Sequence, residues 1–220
     1  MPRTLSTYAL ASLDEMKKAC GVNLDTVLTD GDNFLENLYD SLEFASDEVE
    51  RYLQRHLVTR GSLTEYHSAS PSDPSVLFLR QFPIISPTAP VVVEGYWSAG
   101  AYVVSTTLTV GTDYVAHGEE GKLIRLSGGA PTSWAIGYEG VRVVYAGGYA
   151  TTAVVPDHLQ RVCLSLASRR FAEVNGGVGG VQSKTDGLGT VTRFLPAELL
   201  KMEQDALRSE RRYYTTGRAA

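Results

Sequence analysis

The sequence is poor in the residues that most often carry chemistry. It has two cysteines, Cys20 and Cys163, far apart and outside any metal or redox spacing. They read as small core residues, and a disulfide framework is excluded. Four histidines, His56, His67, His117 and His158, make no His-x-His or His-Glu-x-x-His pair, so each reads as a surface or turn residue. There is no Gly-x-Ser-x-Gly elbow for a nucleophile. No apolar run approaches the ~20 residues that cross a bilayer. The start, Met1-Pro2-Arg3-Thr4-Leu5, lacks the long apolar stretch of a secretory signal. The chain is expected to stay in the cytoplasm where it is made, with no membrane partner. No internal repeat of about 20–50 residues is visible.

Nor is there an excess of positive charge. Lys and Arg number 20 against 25 Asp and Glu, a net charge of −5. Residues 1–50 hold 3 Lys/Arg against 11 Asp/Glu, residues 51–120 hold 4 against 6, and residues 121–220 hold 13 against 8. A dedicated DNA-binding protein would present a basic face. An acidic first part and a basic last part fit a head-to-tail contact between copies, a channel lining that repels phosphates, or a merely solvated surface.

What is present is a foldable chain. Apolar residues make up 43% of the 220 and charged ones 20%, enough for one large domain or two small ones with a real core. Ser12-Leu13-Asp14-Glu15 has capping-box spacing and predicts a helix to about Cys20, stopped by Gly21. Asp32 is placed to cap a longer helix to about Leu57. Leu35, Leu38, Leu42, Ala45, Val49, Tyr52 and Leu53 fall at steps of three and four and form its buried stripe. Glu36, Asp40, Glu43, Asp47 and Glu50 read as its wet face.

From about Ser62 to Thr152 the character changes. Pro71, Pro74, Pro83, Pro87, Pro90 and Pro131 exclude long helices. Between them lie strand-like runs: 76–79, 91–97, 102–110, 113–117, 122–126 and 141–149. Gly118-Glu119-Glu120-Gly121 reads as a four-residue hairpin loop. Helix returns with Pro156 at a first helical position and Asp157 in the first turn. It runs to about Val174, with Leu159, Val162, Cys163, Leu166, Ala167 and Phe171 inward, and Asn175 and Gly176 end it. Six glycines between 175 and 190 mark a mobile connector. Its Gly180-Val181-Gln182-Ser183-Lys184-Thr185 lacks the Gly-Lys-[Ser/Thr] end of a P-loop and comes after a helix, not a strand. Pro196 opens a last helix through Leu199, Leu200, Glu203, Ala206, Leu207 and Glu210. Beyond it lies a basic, aromatic tail.

The expected class is therefore α+β: a small helical bundle of about four helices with an inserted antiparallel β subdomain. The helical domain comprises residues 1–61 and 153–220, and the β subdomain residues 62–152. Twelve tyrosines against six phenylalanines and two tryptophans suit interfaces and half-buried strands alike. The adjacent acidic pairs Asp47-Glu48 and Glu119-Glu120 are weak candidates for acid–base work. No catalytic residue, metal ligand or cofactor site is assigned.

The order of elements resembles the head–tail connector, or adaptor, family of long-tailed bacteriophages. Four stretches carry the resemblance: the long acidic helix ending in Glu50-Arg51-Tyr52-Leu53-Gln54-Arg55; Phe82-Pro83-Ile84-Ile85-Ser86; Val141-Arg142-Val143-Val144-Tyr145-Ala146-Gly147-Gly148-Tyr149; and Val155-Pro156-Asp157-His158-Leu159. The passage from Val141 to Leu159 is the most specific. The resemblance implies a virion-neck protein made in the bacterial host cytoplasm, repeated in a ring of about twelve copies below the portal. Its partners would be the portal protein, neighbouring copies, and the next neck, stopper or tail protein. DNA would pass through without sequence-specific binding, and a cationic lining would grip it.

Arg208, Arg211, Arg212 and Arg218, with Tyr213 and Tyr214, are the candidate portal-docking residues, because Arg forks onto carboxylates and Tyr adds contact area. Gly176, Gly177, Gly179, Gly180, Lys184 and Arg193 are candidates for a loop ordered by a neighbouring subunit or neck protein. The β subdomain, with Tyr96 and Trp97 exposed, is expected on the outer side of the ring. The alternatives are a DNA-recognition component of the packaging machinery, which the acidic first fifty residues disfavour, and a cell-wall-directed hydrolase, which the missing site motifs disfavour.

Overall fold

The computed structural model describes residues 5–21, 32–85, 90–174, 199–208 and 210–211. The fold is α+β, with four α-helices among the described residues and strands paired antiparallel. The chain forms two compact units that divide between Gln54 and Arg55 and again between Ala150 and Thr151.

In the helical unit, α1 spans Leu13–Ala19. Ser12 Oγ accepts from Glu15 N at 3.3 Å while Glu15 Oε2 accepts from Ser12 N at 2.8 Å, the reciprocal box the spacing predicts. Gly21 comes next at φ +66°, where a glycine stops a helix at little cost. The long α2 spans Asp32–Leu53, so Asp32 is its first helical residue and it ends four residues short of Leu57. Gln54 takes φ 58° and turns the chain out of the helix. Leu38, Leu42, Ala45, Val49 and Leu53 are buried as expected. Glu36, Asp40 and Asp47 are exposed, but Glu43 is half-buried and accepts from Ser6 N at 3.0 Å. Glu50 does not belong to a wet face: it is buried, next to Val49 and one turn from Ser46 and Leu53, all buried too. The covered stripe is wider than the apolar pattern, because small and paired polar residues extend it. Ser46 shows how: its hydroxyl donates to Leu42 O at 2.8 Å and accepts from Leu10 N at 3.0 Å.

After a 3₁₀ turn at Thr152–Val154, α3 spans Asp157–Val174 and packs along α2. Its six expected inward residues are all buried, and Phe171 meets Phe34 edge to face at 5.0 Å. Pro156 sits one residue before the helix, where its carbonyl accepts from Gln160 N at 3.2 Å. Burial pushes the Cys163 thiol up to about 12, so it behaves as a core residue. The last helix, α4, spans Lys201–Arg208, so Leu199 and Leu200, expected within it, precede it; Pro196, expected to open it, lies outside the described residues. Glu203 sets the start: its carboxylate accepts from Leu200 N at 2.9 Å, the N3-to-N-cap half of a capping box.

The β unit begins with β1, Ser62–His67, which the sequence pattern misses. It continues through β2 (Val76–Phe78), β3 (Val91–Ser98), β4 (Ala101–Leu108), β5 (Tyr114–His117), β6 (Lys122–Ser127), β7 (Ala130–Pro131) and β8 (Val141–Ala146). One sheet has the order β1-β8-β3-β4; the other runs β2-β6-β5, with β7 on β6. Gly118–Gly121 joins β5 to β6 as expected. On β8, Val141, Val143 and Tyr145 point inward and the residues between them are half-buried. They meet Leu77, Leu79, Val92, Leu108, Tyr114, Leu123 and Trp134 in the core. Glu94 of β3 accepts from Arg125 of β6 at 3.1 Å and so fastens one sheet to the other.

Three stretches meet at one corner of this unit. Arg55 donates to Phe82 O at 2.6 Å and lies 3.7 Å over the Phe82 ring. Gly148 N donates to Pro83 O at 2.8 Å, and Tyr149 N donates to Leu57 O at 2.6 Å. The Phe82–Pro83 peptide is cis. Residues 55–57 thus satisfy backbone groups of Phe82 and Tyr149 in the connections beside the sheets instead of extending the helix, and α2 ends at Leu53.

Candidate assembly surfaces

The helical unit offers one surface built around α4. Arg169 of α3 reaches Glu203 with a bidentate fork, Nη1–Oε1 2.6 Å and Nη2–Oε2 2.8 Å. Ser165 Oγ donates to the same Oε1 at 2.8 Å. Burial pushes the Glu203 carboxyl up, but the bonds from Arg169, Leu200 N and Ser165 outweigh it and hold the group below its usual range. This node presses α4 onto α3 and so positions Arg208 and Arg211 at the far end of the helix. Arg208 is exposed in the last turn of α4. Arg211 is half-buried, its guanidinium 5.0 Å over the Tyr52 ring, and Tyr52 Oη donates to Gln204 O at 3.4 Å. His158 Nε2 lies 3.3 Å from Glu210. Arg208 and Arg211 therefore leave the same helix end in different settings, one in solvent and one stacked. The other docking candidates, Arg212, Tyr213, Tyr214 and Arg218, lie outside the described residues. So do the loop candidates Gly176, Gly177, Gly179, Gly180, Lys184 and Arg193.

The β unit offers a second surface at the β3–β4 hairpin. Its two-residue turn, Ala99 at φ 50° and Gly100 at φ 80°, is the kind that matches strand twist. The ladder shifts register between Glu94 and Gly95, so that Gly95 faces Val104 and Glu94 faces Thr106. Beyond the shift, Trp97 and Tyr102 gather with Tyr66 of β1 at ring centroids of 5.3–5.8 Å. Arg142 lies 5.3 Å over Tyr102, whose hydroxyl donates to Gly140 O at 3.1 Å. Tyr96 and Trp97 are exposed, as are Val103 and Val104. Ile136 and Tyr138 stand out furthest, 90% and 79% exposed. The sequence signals Tyr96 and Trp97; it misses Ile136 and Tyr138, whose only mark is an apolar and an aromatic residue flanking Gly137.

Gly95 is required here because the Tyr102 ring lies on it. A Cβ at Gly95 would sit 2.8 Å from that ring and closer still to Val103 O. Gly95→Ala is expected to cost about 1–3 kcal/mol in urea unfolding, as other overpacked sites do. It should also shift the near-ultraviolet signal of Trp97 and Tyr102. A variant with unchanged stability and spectrum would contradict this packing.

One titratable cluster remains, and it serves the fold. Glu65 accepts from the Tyr145 hydroxyl, from Arg80 N at 3.1 Å and from His67 Nε2 at 3.0 Å, while Gln81 N donates to Tyr145 Oη at 2.9 Å. His67 is thus a strand residue with a largely covered side chain, not a surface or turn one. Burial raises the Glu65 carboxyl, and the bonds from His67, Tyr145 and Arg80 bring it below its usual range. The cluster ties β1 and β8 to residues 80–81. Among the described residues no group of three or more His, Cys, Asp or Glu could hold a metal ion, and no helix is long and apolar enough to cross a membrane.

The fold has solved counterparts. A chain of the "Virion of native gene transfer agent (GTA) particle" superposes with a TM-score of 0.54 at 14% identity, over 96% of this chain and 92% of that one. A chain of the "Neck of empty GTA particle computed with C6 symmetry" gives 0.52 at 13% identity, over 99% and 97%. At such identities the likeness is one of fold. No protein-family model matches the sequence, and neither does any curated protein.

Proposed function

We propose that this chain is a non-enzymatic structural subunit of the neck of a tailed-phage-type particle. About twelve copies form a ring below the portal, extend the DNA channel and link the head to the next neck or tail protein. One observation carries the reading. Nearly the whole chain shares its fold with chains of gene transfer agent structures, one of them a neck. The exposed Glu36, Asp40 and Asp47 of α2 support a conduit role, since a negative surface lets DNA pass without gripping it. A particle made without this chain should yield filled heads and separate tails, joined again when the protein is supplied. Normal numbers of tailed particles in its absence would overturn the reading.

In this reading the segment after α4 docks on the portal, led by exposed Arg208 and continued by Arg212, Tyr213, Tyr214 and Arg218. Arg211 is occupied by Tyr52 and belongs to the subunit's own packing. Ending the chain after Arg211 should therefore leave stability within about 0.5 kcal/mol of the full chain. It should also abolish attachment to portal-bearing heads in a co-sedimentation assay. Truncated protein that joins heads at full occupancy would show that the anchor lies elsewhere. The loop around Gly176, Gly177, Gly179, Gly180, Lys184 and Arg193 is assigned to contacts with a neighbouring copy or neck protein, and the β unit to the outer side of the ring.

A further inference from the structure

We propose that the four-stranded sheet continues from one copy of this chain into the next. The outer edge of β4 in one copy adds antiparallel to the open edge of β1 in its neighbour. The inference rests on the ring reading above and names the joint between its copies.

β4 ends the sheet, and among the described residues its only strand partner is β3. It is eight residues long, Ala101–Leu108, with no charged side chain and no proline. Seven of the eight are exposed or half-buried. Soluble proteins ordinarily blunt such an edge with lysine, proline or a covering segment, because its free N–H and C=O groups template another strand. The register shift between Glu94 and Gly95 interrupts the ladder, but it leaves 101–104 regular.

The turn fixes which groups face outward. In a two-residue hairpin the closing pair, here Ser98 and Ala101, exchanges both ladder bonds, and bonded pairs alternate from there. Tyr96 and Val103 form the next bonded pair. Tyr102 and Val104 therefore aim their N–H and C=O away from β3.

The complement lies on the same molecule. β1 is the opposite edge of this sheet, with β8 its only strand partner among the described residues. All three pairings in the sheet are antiparallel. Across four alternating strands the first and last point in opposite directions. A second copy set beside the first in the same orientation thus presents β1 antiparallel to β4, the pairing with the better-aligned bonds. Such a contact is heterologous and repeats until it closes. Pairing β4 with β4 about a two-fold would stop at two copies and leave both β1 edges open.

The test reads amide exchange by residue in the free full-length subunit and in assembled particles. Tyr102 and Val104 amides, and those of β1 that face away from β8, should exchange about 100-fold or more slower in particles. Val104→Pro removes an outward N–H and leaves the β3–β4 bonds in place. It should keep the wild-type melting temperature and enter particles about tenfold or more less often; Val104→Thr should enter normally. Unchanged exchange at Tyr102 and Val104 in particles that contain the chain as a ring overturns the sheet joint and leaves the ring standing. Protection of β4 without β1 identifies another occupant, a two-fold copy or a strand of a different neck protein, and also overturns it. Absence of the chain from necks overturns the ring reading itself.

Discussion

Glu203→Ala is expected to release α4 from α3. Removing one partner of a buried, bidentate ion pair strands the other charge, at a cost of about 3–5 kcal/mol. Glu203 also caps α4, so the loss falls on helix start and docking together. The first readout is amide exchange of Lys201–Arg208, whose protection should drop by that free energy. Urea unfolding of the whole chain should change less, because α4 can leave without the rest. Arg169→Ala should lose a similar amount, and the double variant about the same as either alone. Replacing the pair by Arg169→Met and Glu203→Leu should restore most of the docking, since apolar pairs of similar size avoid the desolvation.

The same pair gives a pH dependence. The folded Glu203 carboxyl ionises at a lower pH than the unfolded one. The unfolded chain therefore binds more protons as the pH falls from about 4.3, the ordinary glutamate value. The contribution of Glu203 to α4 docking should be fully present above that pH and be lost as the pH falls through the folded value. Glu65 adds loss of the same sign in the β unit. α4 protection that stays constant from neutral pH down to about 3 would contradict this origin.

Gly148→Ala should be the more damaging of simple substitutions in the β unit. Gly148 holds φ +101°, and an added Cβ would lie 2.8 Å from Leu57 O and 3.1 Å from Thr59 N. Both neighbours are backbone, and Tyr149 N already donates to Leu57 O, so neither can yield alone. Strain of about 1–3 kcal/mol from the backbone adds to about 1–3 kcal/mol from overpacking. We expect a total near 3–5 kcal/mol in urea unfolding, or a chain that fails to accumulate in soluble form. The next glycine back, Gly147, faces Gln81 Cβ and O at 2.6 and 2.7 Å, so Gly147→Ala should lose about 1–3 kcal/mol by overpacking alone. A soluble Gly148→Ala variant within about 1 kcal/mol of wild type would show that this corner is loosely packed.

Local rules made much of this fold legible. The Ser12–Glu15 box, the six inward residues of α3 and the Gly118–Gly121 hairpin each depend on neighbours within a turn or two of chain. What escaped depends on distant partners. Glu50 reads as a solvent-facing carboxylate, yet it is buried; Glu203 is named only as a position along the last helix, yet it is buried and held by residues 34 and 38 positions away. β1 escaped because Glu65 and His67 break its apolar alternation and are satisfied by each other, Tyr145 and Arg80. The spacing carries α2 on to Leu57, beyond its end at Leu53, because Leu57 keeps the helical step while its carbonyl is claimed by Tyr149. The surfaces were legible in part: Tyr96 and Trp97 are visible as aromatics in a strand, whereas an open edge is a property of topology.

The most direct measurement is a density map of the neck in intact particles, at a resolution that traces the chain. It should show this protein as a closed ring of about twelve copies between portal and tail, repeated head to tail. Single isolated copies, a two-fold dimer, or necks that lack the chain altogether would contradict a structural role at the head–tail joint.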